Sequence, residues 1–441
     1  MKKEELARKL VDAALKAGAD EAEVSLREDR ELNVEVRMGE LDVLKESGSR
    51  NLTLRVYRNQ SKAQVSSSDF SPEAMEALAR DAVDLASVSQ ADEYHRLPEA
   101  ELYAREIPEL DVHDSSEALS AAKCIDMAKQ AEEVALDSDA RIENSQGSSG
   151  SRGESSVYRL TSNGFAAGFS STIHSLYCIP VARDSAGDLV SGFWGRSSVY
   201  HEDLPDPEEV GKKAAEETLL LCDARKAPTG EVPVIFDARV SSAILHMLFR
   251  CISGASLWRK LSYLDGRLHT PVASELVHLV DDPHRLRGLG SRPFDDEGIA
   301  SKPIRLIENG ILKHFVTNVE SSRRLGLPCT GHGGGESPSN LYLEAGDLSW
   351  EDIIEDTKTG LLVTGLMGNT FHSTSGHWSQ GVEGLWIEKG KIAYPVKGAT
   401  IAGNLDDLLQ SIDAVGKDLD FSRGPVVSPS IRFPSMMVSG E

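Results

Sequence analysis

The sequence predicts an α+β protein of two domains with mostly antiparallel sheets, an N-terminal sheet flanked by helices and a β-rich C-terminal domain. Three observations lead there. Apolar residues alternate with polar ones at period two in several places, as in Leu32, Val34 and Val36 against Asn33, Glu35 and Arg37. Two segments, PIRLIENGILKHFV (303–316) and GLWIEKGKIAYPV (384–396), each read as strand, Glu-X-Gly turn and strand. Helical spacing is confined to short stretches between these strand patterns. At 441 residues the chain exceeds one ordinary domain.

In order, Leu6, Leu10, Val11, Ala14 and Leu15 recur at helical spacing and Gly18 stops the helix. The strand at Leu32 to Val36 turns at Gly39 into a partner near Leu41 to Leu44, and Leu52, Leu54 and Val56 repeat the alternation. Ser71-Pro72 opens a helix, with serine as N-cap and proline in the first turn, carried on by Met75, Leu78, Ala82, Val83 and Leu85. A loop from Ala91 to Pro108 leads to a helix from about Ser115, with Leu119, Ala122, Ile125, Ala128 and Ala131 on one face. The Ser/Gly-rich stretch Ser145 to Ser156 reads as a turn or mobile loop. Strand patterns return from Val157 to Tyr200, and Asp206-Pro207 starts a helix that ends near Cys222. The polar Arg225 to Gly230 segment marks a boundary between domains 1–225 (subregions 1–90 and 110–225) and 230–441.

Beyond it, Val232 to Phe236 reads as a buried strand and Val240 to Gly254 as a helix. Asn309-Gly310 is a hairpin turn by its chemistry. Ser349 caps a short helix closed by Gly360. Leu405, Leu408, Leu409, Ile412 and Val415 form a last amphipathic helix stopped by Gly416, and SIRFPSMMVSG ends the chain as an extended segment.

Composition narrows the function. With 70 acidic and 47 basic residues the net charge is −23, and no long basic run offers a track for phosphates, so direct nucleic-acid binding is disfavoured apart from a local patch at Arg323-Arg324. No stretch reaches the run of about 18 apolar residues that a membrane span needs. The charged start MKKEELARKL is not a secretory signal. Five scattered cysteines without a CxxC pair argue against a disulfide framework and for a reducing, cytoplasmic setting.

Four segments carry a more specific signal: DDPHRLRGLGSRPFDDEGIASKPIRLIENGILKHFVTN (281–318), SPSNLYLEAGD (337–347), LLVTGLMGNTFHSTSGHWSQGVEGLWIEKGKIAYPV (361–396) and TIAGNLDDLLQSIDAVGKDLDF (400–421). They resemble the TldD/PmbA family, whose members are described as peptide-maturation proteases and formerly as modulators of DNA gyrase, and the chain is similar to its PmbA-type (TldE-type) members. The resemblance is weak before residue 220 and strong from 230 to 441. It implies a catalytic subunit that holds zinc through a helical HExxxH motif and a late cysteine, because zinc takes nitrogen and sulfur donors, keeps a position for water and needs a carboxylate to move protons. In this chain the equivalent helix is SSAILHMLFRCISG (241–254). His246 stands at the first histidine, Met247 at the glutamate, Cys251 at the second histidine, and no cysteine follows Cys329. Residues five apart on a helix diverge by about 140°. Cys251 instead shares a stripe with Ala243, Ile244, Met247, Leu248 and Ile252, which reads as core.

The expectation is therefore a chain with no catalytic, cofactor-binding or metal residues of its own, His246 and Cys251 being the remaining candidates. Zinc is expected in a TldD-like HExxxH partner, the assembly is a dimer, and an extended peptide is the substrate. Two alternatives stand beside it: a stand-alone metallopeptidase using His246, Cys251 or the group His332, His372 and His377, and a protein-binding modulator of a DNA-associated target. Other features read as structural. Gly331-His-Gly-Gly-Gly335 lacks the Lys-Ser/Thr of a phosphate loop and is either a mobile loop beside an interface or peptide channel, or a plain connection. No G-x-S-x-G elbow is present, and Asp295-Asp296 reads as a carboxylate-rich turn.

Overall fold

The computed structural model describes residues 2–116 and 119–440. The first half comprises α1 (Lys3–Lys16), β1 (Glu21–Arg37), β2 (Glu40–Arg58), β3 (Ser61–Ser67), α2 (Pro72–Val88), α3 (Ala121–Asp137), β4 (Ile142–Thr161), β5 (Ala166–Arg183), β6 (Leu189–Ser191), β7 (Trp194–Ser198) and α4 (Pro207–Leu220). Its strands form one antiparallel sheet in the order β3-β2-β1-β4-β5-β6, with β7 also on β5. Alternation along β1 sends Val24, Leu26, Val34 and Val36 to one face, where they pack with the helices. Glu23 and Arg27 point to the other face, towards the second half of the chain.

The N-terminal strands are longer than their apolar patterns. β1 and β2 pair continuously from Glu21↔Tyr57 to Arg37↔Glu40, so the two patterns at 41–44 and 52–56 belong to one strand. β3, with only Ala63 and Val65 to mark it, was not anticipated. Ser145 to Ser156 is no loop: it lies inside β4, paired with β1 on one side and β5 on the other. Its small residues serve packing, since a Cβ on Gly150 would lie 3.0 Å from the Cys124 carbonyl of α3. The helix expected from about Ser115 starts instead at Ala121, where Ser120 accepts a hydrogen bond from the Lys123 N–H. Positions 117 and 118 of that expected helix lie outside the described residues.

The second half comprises β8 (Arg225–Lys226), β9 (Gly230–Phe236), α5 (Ser242–Ile252), α6 (Gly254–Trp258), β10 (Leu279–Asp281), β11 (Ile304–Glu308), β12 (Ile311–Leu312), α7 (Val319–Leu325), β13 (Leu341–Leu343), α8 (Trp350–Asp356), β14 (Thr359–His372), β15 (His377–Glu388), β16 (Lys391–Asn404), α9 (Leu405–Ser411), β17 (Ala414–Val415), β18 (Val426–Val427) and β19 (Ile431–Gly440). One sheet runs β12-β11-β10-β13-β18 and the other β17-β19-β9-β14-β15-β16-β8. β19 pairs with both β9 and β16, so β9, β14, β15, β16 and β19 form a closed ring. β9 is buried on both faces: Val234 and Phe236 join the large core with α5, and Ile235 joins a smaller cluster with α8. Both expected hairpins turn on residues in the left-handed region, Asn309-Gly310 (φ +48° and +73°) and Lys389-Gly390 (+54° and +72°). Two helices are shorter than expected. Gly360 already belongs to β14, and α9 ends at Ser411, leaving Val415 to β17.

The segment 91–114, of which 91–108 reads as a loop in the sequence, straps the first half to the second. Ala104 N–H donates to Gly298 O at 3.0 Å, Ala300 N–H to Leu102 O at 3.2 Å, and Arg287 N–H to Leu110 O at 3.0 Å. The Arg323 guanidinium binds the carbonyls of Tyr94, Arg96 and Leu97, and Arg324 pairs with Asp92 and Glu320. The cationic pair Arg323-Arg324 is thus turned inward.

Candidate functional site

α5 carries the residues that a zinc helix would use. Ile244, Met247, Leu248, Cys251 and Ile252 are buried in the main core, with Ala243 at its edge. His246 is exposed and borders a shallow depression formed with Ala243, Met247, Arg250 and Phe371. Cys251 is fully buried, and burial pushes its thiol up to about 12, whereas a zinc ligand must be a thiolate. Met247 offers no carboxylate for proton transfer. A histidine facing solvent and a protonated thiol in the core do not fit zinc, which needs donors converging at about 2 Å.

The three histidines of the alternative reading are not one group. His372 and His377 are exposed cross-strand partners at the tip of the β14–β15 hairpin. His332 is buried elsewhere, its Nε2 3.1 Å from Asp281 Oδ2 and its Nδ1 2.9 Å from Thr330 Oγ1. Among the described residues one set of potential ligands does converge, Asp92, His95 and Glu320. Arg324 already pairs with both carboxylates and Lys62 with Glu320, so its charge is balanced. A Ser116–Asp114–His201 contact also exists, but Ser116 Oγ donates to Asp114 at 2.5 Å and His201 Nδ1 lies 2.9 Å from the same carboxylate. Ser116 Oγ also lies 3.4 Å from His201 Nδ1, but that nitrogen faces the same carboxylate and the hydroxyl donates its proton to Asp114, so the ring is not placed to take it.

The acidic turn and the glycine run, far apart in sequence, interlock. Asp295 is buried and accepts hydrogen bonds from Glu297 N–H, Ile299 N–H and, at 2.8 Å, Gly333 N–H. Asp296 accepts from Gly334 N–H at 2.5 Å. Gly333 has φ +70°, and a Cβ there would fall 1.8 Å from Asp296 Oδ1, so glycine is required on both counts. Glu336 anchors the far end: its buried carboxylate accepts from Ala255 N–H at 2.7 Å, Asn318 N–H at 3.3 Å, Ser321 Oγ at 2.5 Å and Ser253 Oγ. The loop expected to be mobile or a plain connection is thus tied to three carboxylates. Burial pushes Asp295 up to about 6, with backbone N–H groups opposing the shift. Burial, with Asp295 adding repulsion, pushes Glu297 up to about 8 although Val319 N–H donates to it.

Three cavities lie where the helix-free face of the first sheet meets the second half. The largest, about 590 Å³, lies between β7, the start of α5, and Thr364 and Glu383 of the ring. Two smaller ones flank the glycine loop: about 280 Å³ beside Asp295 and Gly335, and about 320 Å³ beside Glu297 and Gly334. Such polar clefts can hold a ligand in register; among the described residues none combines an activated nucleophile with a proton acceptor.

Comparison with known proteins agrees with this architecture. Residues 22–86, 114–221 and 229–440 match, in order, domain 1, the central domain and the C-terminal domain of the PmbA/TldA metallopeptidases. The chain is 34% identical over 423 residues to Metalloprotease PmbA of Escherichia coli O157:H7, spanning 96% of this chain and 93% of that protein. Its identity to the Metalloprotease PmbA homolog of Haemophilus influenzae is 33%, over 98% and 94% of the two chains. A crystal structure from Bacteroides thetaiotaomicron, described as a candidate modulator of DNA gyrase, superposes with TM-score 0.93 at 31% identity over 99% of both chains. TldE of Thermococcus kodakarensis shares the fold, with TM-score 0.87 at 23% identity over 99% of this chain and 100% of that one.

Proposed function

Because the chain belongs to the PmbA/TldD metallopeptidase family, we propose that it is the PmbA/TldE-type subunit of a heteromeric zinc metallopeptidase acting on unfolded peptides. In this reading a TldD-like HExxxH subunit holds the zinc and performs hydrolysis, and this chain completes the peptide chamber. The observation that carries it is α5, where Met247 and Cys251 are core residues and His246 is alone at the surface. β7 supports the peptide role. Among the described residues it pairs only with β5, and its residues Trp194 to Ser197 border the cavity of about 590 Å³. An extended segment could add there through backbone hydrogen bonds, which read no particular sequence and suit unfolded substrates. Free cysteines, four of the five buried, fit a cytoplasmic setting.

Co-expression with an HExxxH relative tests this. The expected result is a stable complex whose peptidase activity needs both chains and whose zinc is lost when the partner's motif is altered. Full activity of the partner alone would refute it. Stoichiometric zinc in this chain by itself, with chelator-sensitive hydrolysis abolished by His246→Ala, would establish the stand-alone peptidase instead.

A second reading takes its support from the description of the Bacteroides relative as a candidate gyrase modulator. A net charge of −23 then favours contact with a protein over contact with DNA. Salt-sensitive binding of this chain to duplex DNA would refute that form of it.

A further inference from the structure

The cavity of about 280 Å³ beside the glycine loop is lined by three arginines, two of which form no salt bridge with any described residue. Its floor is the helix-free face of the first sheet, where Arg27, Val157 and Phe169 are direct cross-strand neighbours and Arg159 lies one step along β4 on the same face. Its roof is Arg292, Phe294, Asp295 and Asp296, with the loop from His332 to Ser337 closing one side. Arg27 is neutralised by Asp29. Arg159, half-buried, makes no hydrogen bond or close ion pair with any described residue, and the only acid whose charge it meets is Glu23, one step away on β1 and already paired with Arg55. Arg292 donates only to the carbonyls of Ser337, at 2.7 Å, and Pro338, and its Nε is buried without a partner.

Unpaired guanidinium groups in a chain with 70 acidic residues are an expensive arrangement unless an anion completes them. The roof aspartates do not fill that role. Asp295 is bonded to three backbone N–H groups, and Asp296 is turned to Gly334 N–H. Phe169 and Phe294 meet edge to face at 5.4 Å and supply an apolar wall next to the charges. A planar fork beside an aromatic wall matches a carboxylate that carries an apolar side chain on the adjacent carbon.

We propose that this cavity binds the C-terminal carboxylate of a peptide, with Arg159 and Arg292 as the carboxylate ligands and the Phe169–Phe294 pair against the last side chain. The inference rests on the peptide-binding reading above, but its test needs neither the partner subunit nor zinc, so the two can fail separately.

The test is calorimetric titration of the full-length chain with acetyl-Ala-Ala-Ala-Phe, as the free acid and as the C-terminal amide. The free acid is expected to bind about tenfold or more tightly than the amide. Arg159→Gln and Arg292→Gln should each erase that preference. Asp296→Asn, which keeps the oxygen that accepts from Gly334, should strengthen free-acid binding by removing a negative charge; a misfolded variant would not do so. Equal binding of acid and amide overturns the proposal, as does a free-acid preference that survives in both arginine variants. Acetate or inorganic phosphate binding as tightly as the peptide would make this a general anion site and would equally overturn it.

Discussion

Glu336 brings a negative charge into the protein interior and leaves it there with four donors around it. It joins the starts of α6 and α7 to the end of the glycine loop. Glu336→Ala would strand the Ser253 hydroxyl and the Ala255 N–H and leave Ser321 and Asn318 only their bonds to each other, and about 3 kcal/mol of stability should be lost, read as a lower urea midpoint. Nearby, Asp295 at about 6 and Glu297 at about 8 lie above their unfolded values. The folded protein therefore binds protons more tightly than the unfolded chain from about pH 4 to 8, and stability falls as the pH rises through that window. His174, which burial lowers to about 4, works in the opposite sense but only below its unfolded value of about 6.5. The buried thiols, also raised, act in the same sense near pH 8.5, so the carboxyl effect is isolated by comparing urea midpoints at pH 6.5 and 8.5 in the wild type and in Glu297→Gln, where the difference should shrink. The sequence displayed Asp295-Asp296 and the glycine run as separate features. Their union was not legible, because it depends on hydrogen bonds between residues 38 apart. Glu297 and Glu336 drew no structural reading from the sequence; the signal that could have found them is their position flanking an acidic turn and a glycine run.

Elements were legible where one force dominated. α2 is announced by Ser71, Pro72 and an apolar stripe, and Ser71 Oγ does accept from Ala74 N–H at 3.3 Å. The hairpins at Asn309-Gly310 and Lys389-Gly390 follow from turn chemistry alone. The first part of β4, residues 145–156, departed from expectation because its glycines answer to close neighbours, Gly150 to α3 and Gly153 to Ile173 of β5, rather than to strand propensity. The same pressure acts inside α4. Gly211 ought to weaken a helix interior by about 1 kcal/mol relative to alanine. A Cβ there, however, would lie 2.2 Å from the Ala131 carbonyl of α3. Gly211→Ala is accordingly expected to lower the melting temperature despite the better helix former, and circular dichroism on heating would show it. A rise in melting temperature would mean that α3 and α4 separate without penalty.

Across the whole molecule, the two halves are held by the strap 91–114 and by the charged contacts beneath it. Arg287 reaches Asp111 at 2.7 Å and Asp203 at 2.9 Å, and Arg323 grips the strap carbonyls of Tyr94, Arg96 and Leu97. Arg323→Ala should raise hydrogen exchange at 94–104 while leaving the ring of β9, β14, β15, β16 and β19 protected; uniform loosening would show that the strap is not a separate unit. The antiparallel α+β class was legible from alternation alone, whereas the strap has no pattern, since its contacts are backbone carbonyls that every residue possesses. The ring has a further consequence, concerning time. β9 leaves the ribosome some two hundred residues before β19, the strand that must sit beside it. Until β19 has been translated, β9 and β16 wait with open edges, so this half of the protein cannot close its ring while only its earlier strands have emerged.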